Sequence, residues 1–158
     1  MTDREEPFDQ PGTPEEPKGH YIFDKPEPLW NFGHGKSYTT FDYVDCALSD
    51  TLLAASDTLK VSVMIKNTGR CDGKEVVQLY VRDKVSTVAT PIQQLKAFQK
   101  VLVKSGESQC VELSLPIAEL ALYNAKMEEV VEPGDFEIQI GAASDDIRFK
   151  KTITINRK

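Results

Sequence analysis

LKVSVMIK, at residues 59–66, places apolar side chains at every odd position and polar side chains at three of its four even positions. A period of two sends successive side chains to opposite faces of a strand, so this stretch predicts a β-strand with one buried face. Six other segments are predicted as strands on similar grounds: Phe41 to Leu48, Glu75 to Arg82, Leu95 to Val103, Gln109 to Leu115, Phe136 to Ile140 and Ile147 to Ile155.

Turn-forming residues separate these segments, for example Asn67-Thr68-Gly69 and Pro133-Gly134-Asp135. Seven short strands at this spacing are typical of an antiparallel β-sandwich. Only residues 117–123 look helical, as a short turn or two, so strands and helices do not alternate as they do in nucleotide-binding α/β folds. The segments at 95–103 and 147–155 are interrupted by Lys and Gln and are predicted to be edge strands.

The strand predicted at residues 75–82 also predicts which side chains are covered. Val77, Leu79 and Val81 share the inward face, and Gln78, Tyr80 and Arg82 share the outward face. Tyr80 is therefore expected to be an exposed aromatic side chain, together with Tyr123.

Composition limits the classes of partner. The chain has 158 residues and a formal net charge of −6, and nucleic-acid binding rests on Lys and Arg that neutralise phosphates, so nucleic acid is not an expected ligand. No apolar run reaches the roughly 20 residues that a membrane-spanning helix needs. The first residues lack the apolar core of a signal peptide, so the sequence as written predicts a cytoplasmic location. Three cysteines without CxxC spacing indicate neither a disulfide framework nor a zinc site.

The N-terminal part differs from the predicted sandwich. The first 28 residues hold six of the nine prolines, which predicts an extended arm over residues 1 to about 19. Residues 21–43 hold seven of the thirteen aromatic residues and need a surface to pack on. We therefore predict an extended Pro-rich arm and aromatic linker over residues 1–40 and a β-sandwich domain over residues 41–158.

Several spaced motifs resemble those of family 3 glycoside hydrolases. PLWNFGHGKSYTTF at residues 28–41 resembles the family pattern P-L-[YW]-P-F-G-[HY]-G-L-S-Y-T-x-F. NTG at residues 67–69 with GKEVVQLYV at 73–81, Pro91 with LKAF at 95–98, and VEPGDF at 131–136 follow in the family's order. The resemblance implies an all-β, immunoglobulin or fibronectin type III-like antiparallel β-sandwich, which in that family is the C-terminal module of beta-glucosidase-like and beta-xylosidase-like enzymes.

Three residues depart from the family pattern. Asn31 stands where proline is usual, Lys36 where leucine is usual, and Ala97 where glycine is usual. Alanine rarely adopts a positive φ, so Ala97 puts the local backbone in question. If Lys36 replaces a side chain that fills an apolar pocket, the linker is expected to sit more loosely here.

The chain shows no catalytic constellation of its own. Glycoside hydrolysis commonly needs two carboxyl groups flanking the scissile bond, and the resemblance places both outside this module. The acidic residues here occupy turns, the arm and outward strand positions, as on a solvated face. His20 and His34 lack a second ligand at metal spacing, the aspartates of the turns lack the spacing of an EF-hand, and Gly35-Lys36-Ser37 lacks the first glycine of a phosphate-binding loop. No catalytic residue, cofactor or metal is therefore predicted.

The aromatic linker carries the remaining site hypothesis. Trp30, Phe32, His34 and Tyr38 either form a surface that docks onto the catalytic domains of a glycoside hydrolase, in cis or in trans, or cover one end of this sandwich. His34 alone is also consistent with a Gly-His-Gly turn whose ring binds the backbone. The sequence leaves these alternatives open.

The expected function is that of a non-catalytic accessory module that stabilises or docks onto those catalytic domains, and a parent enzyme of this kind could be periplasmic or secreted. A carbohydrate-binding module is the first alternative, with weak sugar binding through exposed rings, although this rests on analogy between folds. A protein-interaction module that uses an open sheet edge is the second.

Overall fold

A computed structural model describes residues 28–88 and 91–156. The chain divides into two compact units, Met1–Trp30 and Asn31–Lys158. The predicted arm lies outside the described residues, and the domain boundary predicted at residue 40 stays a prediction. The elements of the second unit are β1 Phe41–Leu48, β2 Leu52–Leu53, β3 Thr58–Asn67, β4 Gly73–Asp83, β5 Gln94–Val103, β6 Ser108–Pro116, a 3-10 turn Ile117–Leu120, β7 Leu122–Tyr123, β8 Glu129–Val130, β9 Gly134–Gly141 and β10 Ile147–Ile155.

Two sheets make up the sandwich. The smaller has the order β1-β3-β6, and the larger has the order β2-β10-β9-β4-β5. All neighbouring strands are antiparallel except β2, which runs parallel to the end of β10. β7 and β8 form a separate two-stranded ribbon. The all-β, fibronectin type III-like antiparallel sandwich expected from the sequence is confirmed.

The core lies between the inward faces of the two sheets. In β3 the burial alternates from Leu59 to Ile65 as the sequence pattern predicts, and all four odd-numbered side chains are fully buried. The inward face of β4 meets them with Val77, Leu79 and Val81. The other core members come from most of the remaining strands and from the 3-10 turn: Cys46, Leu53, Val101, Val103, Val111, Leu113, Leu115, Ile117, Leu120, Phe136, Ile138, Ile140, Ile153 and Ile155.

The seven predicted strands match the seven long strands of the two sheets. β1 and β10 have the predicted bounds, and the other five extend the predicted ranges by one or two residues at an end. β5 is an edge strand, as predicted. The same prediction for β10 is wrong at its C-terminal end, because Thr154 and Ile155 pair with β2. The helical prediction for residues 117–123 is wrong after Leu120, because Leu122 and Tyr123 pair with β8.

The alanine at position 97 is accommodated without a special backbone conformation. Ala97 pairs with Leu79 within β5, and the irregularity of this pairing comes one residue later, between Leu79 and Tyr80. Among the described residues, Met127 is the one non-glycine residue with a positive φ. Alanine therefore replaces the usual glycine in an ordinary strand conformation, next to a local shift of register.

Candidate functional site: a cleft between the linker and the outer face of the larger sheet

Residues 31–38 run over the outer face of the larger sheet and are held there mainly through their own backbone. The side-chain Nε2 of Gln78 on β4 donates to the carbonyl of Gly33 at 3.1 Å. The Ser144 amide donates to the carbonyl of Phe32 at 2.9 Å, and Asn31 Nδ2 donates to Asp145 Oδ2 at 2.6 Å. Three contacts, one from β4 and two from the loop between β9 and β10, therefore fix the start of this segment.

The linker backbone buries two side chains that the strand pattern places outward. Gln78 is 4% exposed and Tyr80 is 1% exposed. The Tyr80 hydroxyl donates to Gln78 Oε1 at 2.6 Å, and Gln78 Nε2 also donates to the carbonyl of Ala142. Burial raises the pKa of the Tyr80 hydroxyl, and the nearby Asp145 charge adds to this. The expectation that Tyr80 is an exposed ring is wrong, because the linker covers it, whereas Tyr123 is exposed as predicted.

Gly33 makes the close approach of the linker possible. Its φ is +80°, in the left-handed region that residues with a Cβ seldom adopt. A Cβ at this position would lie 2.2 Å from Gln78 Oε1 and 2.6 Å from the Tyr80 hydroxyl oxygen. Position 33 therefore needs glycine for two independent reasons.

A buried asparagine fixes the other end of the linker. Asn67, at the end of β3, is completely buried. Its Oδ1 accepts from the Thr39 hydroxyl at 2.7 Å and from the Gly69 amide at 3.0 Å. Its Nδ2 donates to the carbonyls of Cys71 and Val103, both at 2.9 Å. These four bonds use the full capacity of the side-chain amide and join the linker, the β3–β4 turn and β5.

The predicted docking residues have different positions. Phe32, His34 and Tyr38 belong to the second unit and line one cleft, and their side chains are exposed, Phe32 by 66% and Tyr38 by 101%. Trp30 belongs to the first unit and is 61% exposed. The His34 backbone amide donates to the Asn31 carbonyl at 3.0 Å and closes a turn over residues 31–34, whereas the expected bond between the ring and the backbone stays a prediction. The linker backbone thus covers the sheet, while the side chains of Phe32, His34 and Tyr38 are among those that line the cleft.

The cleft has a volume of about 790 Å³ and lies between residues 32–38 and the outer face of β4 and β5. Its opposite wall includes Val76 on β4, and Phe98, Lys100 and Leu102 on β5. Phe98 is 65% exposed and Leu102 is 53% exposed. The sequence carried a signal for this wall, because β5 has apolar residues on both faces, as strands covered on two sides do.

A partly buried charged cluster lies at one end of the cleft. Glu75 lines the cleft, and its Oε1 accepts from the Tyr43 hydroxyl at 3.0 Å. The Arg148 guanidinium lies 5.9 Å from the centre of the Tyr43 ring and pairs with Asp146 at 2.6 Å. Burial raises the pKa of Glu75, and burial together with the Glu75 charge raises that of Tyr43. The bonding of Glu75 joins β4 to β1 and gives the carboxyl a structural role.

Metal binding and membrane insertion are two further possibilities for residues 28–88 and 91–156. No three His, Cys, Asp or Glu side chains come together there in a way that could hold a metal ion. No helix in this part of the chain has the length and apolar character needed to cross a membrane.

Comparison with known proteins shows which families this chain is similar to. The model of the fibronectin type III-like domain matches residues 75–144. The chain is 43% identical over 143 residues to a beta-xylosidase of Formosa agariphila and 42% identical over 131 residues to a thermostable beta-glucosidase B of Acetivibrio thermocellus. These alignments cover 89% and 82% of this chain but 19% and 17% of the relatives, so the chain spans about a fifth of the length of the curated relatives it matches.

A solved structure shows the same similarity in three dimensions. The beta-glucosidase 3B of Thermotoga neapolitana, in complex with alpha-D-glucose, superposes with a TM-score of 0.76 at 42% identity. The superposition covers 83% of this chain and 18% of that enzyme.

Proposed function

The chain belongs to the fibronectin type III-like domains of family 3 beta-glucosidases and beta-xylosidases, and from this membership we propose that it is a non-catalytic accessory module that docks onto and stabilises glycoside hydrolase catalytic domains. One observation carries the proposal: the linker backbone is fastened to the sheet, while Phe32 and Tyr38 remain exposed. A loop that served only to cover the sandwich would turn its large apolar side chains inward.

The chemistry of the described residues supports a role without catalysis. Common glycoside hydrolysis uses a pair of carboxyl groups across an open substrate site. Glu75, the acidic residue whose pKa is raised by burial, is bonded to Tyr43 and helps to hold two strands together. We propose that the catalytic carboxyl groups belong to the four fifths of the relatives that this chain does not match.

The carbohydrate-binding alternative loses one of the two rings on which it was based. Tyr80 is buried beneath the linker, and Tyr123 lies on the separate β7–β8 ribbon. Two rings in these positions cannot form a shared platform for a sugar.

The proposal is tested by adding the chain in trans. The Formosa agariphila beta-xylosidase, truncated to remove the segment that this chain matches, is mixed with the purified chain, and binding, melting temperature and hydrolysis of an aryl xyloside are measured. We expect binding and a higher melting temperature of the truncated enzyme, with no hydrolysis by the chain alone. Absence of binding, or hydrolysis by the pure chain, would contradict the proposal.

A further inference from the structure

The outer face of β5 has the composition of a covered surface although it is open. Val101 and Val103 on its inward face belong to the core. Phe98 and Leu102, on its outward face, are more than half exposed, and exposed Phe32 stands across the cleft from them. Clustered exposed apolar side chains of this kind mark interaction sites on proteins. The cleft therefore offers apolar area to a partner.

Lysines outnumber acidic residues in the lining of the cleft. Lys36, Lys74 and Lys100 line it, together with Asp72 and Glu75. Both acids are engaged within the domain, since Asp72 Oδ1 accepts from the Ser105 amide at 2.9 Å and Glu75 accepts from Tyr43. Lys74 and Lys100 make no ion pair with another described residue. A chain with a net charge of −6 thus presents lysines around an apolar cleft.

The cleft is formed before any partner arrives. One wall is a sheet, and the other is a segment fixed at Gly33 by Gln78 and at Thr39 by Asn67. Binding to such a site does not have to order the walls, which lowers the entropic cost of association.

We propose that this cleft receives an apolar surface segment flanked by Asp or Glu, contributed by the catalytic part of a family 3 glycoside hydrolase, with Phe98 and Leu102 making the apolar contact and Lys74 and Lys100 pairing with the carboxylates. The inference rests on the proposed function and specifies its docking surface. The acidic character of the partner segment follows from charge complementarity, and its source follows from the four fifths of the relatives that lie outside the matched segment.

The apolar contact is tested with Phe98→Ala and Tyr123→Ala. Both rings are similarly exposed, at 65% and 61%, but Tyr123 lies on the β7–β8 ribbon, outside the cleft lining. Affinity for the truncated Formosa agariphila beta-xylosidase is measured by calorimetry. We expect Phe98→Ala to weaken binding about tenfold or more, as for a central interface residue, and Tyr123→Ala to change it less than about twofold. Circular dichroism melting verifies that both variants fold.

The charge contact is tested with the double variant Lys74→Glu and Lys100→Glu, compared with Lys60→Glu and Lys66→Glu on the smaller sheet. Both pairs change the net charge equally. We expect the cleft pair to weaken binding at least about tenfold and to reduce its dependence on salt, and the control pair to act weakly.

The outcomes separate the two levels of the proposal. Binding that the cleft variants leave unchanged overturns this inference and leaves the proposed function intact. Failure of the unmodified chain to bind overturns both. Self-association of the chain that Phe98→Ala abolishes, or a sugar titration that Phe98→Ala abolishes, also overturns the inference, because the occupant would then be a second copy or a carbohydrate.

Discussion

The core between the sheets and the attachment of residues 31–40 hold the domain together by different means. The core is apolar and continuous, with Leu79 fully buried at its centre. The attachment is polar and local, and depends on the amides of Asn67 and Gln78 and on the backbone of Gly33. Apolar burial scales with area and tolerates adjustment, whereas each hydrogen bond of a buried amide requires one geometry. The comparison predicts the largest loss of stability from the first region, and smaller losses that depend on single contacts from the second.

The largest effect is expected in the core. Leu79→Ala leaves a cavity between the sheets and should lower the free energy of unfolding by about 3 to 5 kcal/mol. Chemical denaturation measures this loss. Leu52→Ala, at a side chain that is 55% exposed, is the matched control and should cost far less. Equal costs for the two variants would contradict the position of the core.

Asn67→Ala should have the next largest effect. It removes four bonds and leaves the carbonyls of Cys71 and Val103 without this donor, the second of them in a buried position, at a cost of about 2 to 3 kcal/mol. Asn156→Ala, at an exposed position after β10, is the control for loss of an asparagine. If the two variants unfold at the same denaturant concentration, the attachment at Thr39 contributes nothing to stability.

Gly33→Ala should act locally. The added Cβ cannot occupy the space between Gln78 and Tyr80, so the segment should lift from the sheet at a cost of about 1 to 2 kcal/mol. Because the Ser144 amide donates to Phe32, its hydrogen exchange should accelerate more than that of core amides. Gly35→Ala, where nothing lies within 4 Å of the added atom, should leave this exchange unchanged.

The smallest effect should depend on pH. The pKa of Glu75 is higher in the folded domain than in the unfolded chain, so its contribution to stability is present at low pH and is lost as pH rises through the folded value. Glu75→Gln should match the unmodified domain near about pH 4 and exceed its stability near about pH 7, by less than about 1 kcal/mol because the carboxyl is partly exposed. Glu112→Gln, exposed on β6, is the control, and a pH-independent difference would rule out the ionisation of Glu75 as its cause.

The buried core and its long strands were predictable from the sequence, whereas the shortest strands were not. Alternation from Leu59 to Ile65 identifies both the strand and its buried face, because an antiparallel sheet with one covered side demands that pattern. Strands of two residues, such as β2 and β7, have no period to detect. Leu122 and Tyr123 look helical in the sequence, and their pairing partner β8 is itself only two residues long, so no alternating pattern indicates the ribbon.

The candidate site was predictable on one side only. The linker motif indicated Phe32, His34 and Tyr38, and the structure gathers these three residues along one cleft. Burial of Gln78 and Tyr80 was not predictable from the sequence. Both side chains are covered by the backbone of Phe32 and Gly33, whose carbonyls accept their hydrogen bonds. A pattern of side chains does not indicate where backbone groups will pack. Gly33, which allows this close approach, indicates only a turn when the sequence is considered alone.

Asn67 bears on the kinetics of the domain. Its side chain bonds Thr39 and Val103, which are 28 and 36 residues away along the chain. Because each bond of this amide requires one geometry, these bonds can form only once β3, β5 and the linker are in place, so they are expected to form after the strands have paired. Interactions that are absent from the folding transition state slow unfolding without accelerating folding. Asn67 would therefore govern how long the linker stays attached once it has docked, and thus the lifetime of any assembly that uses the cleft.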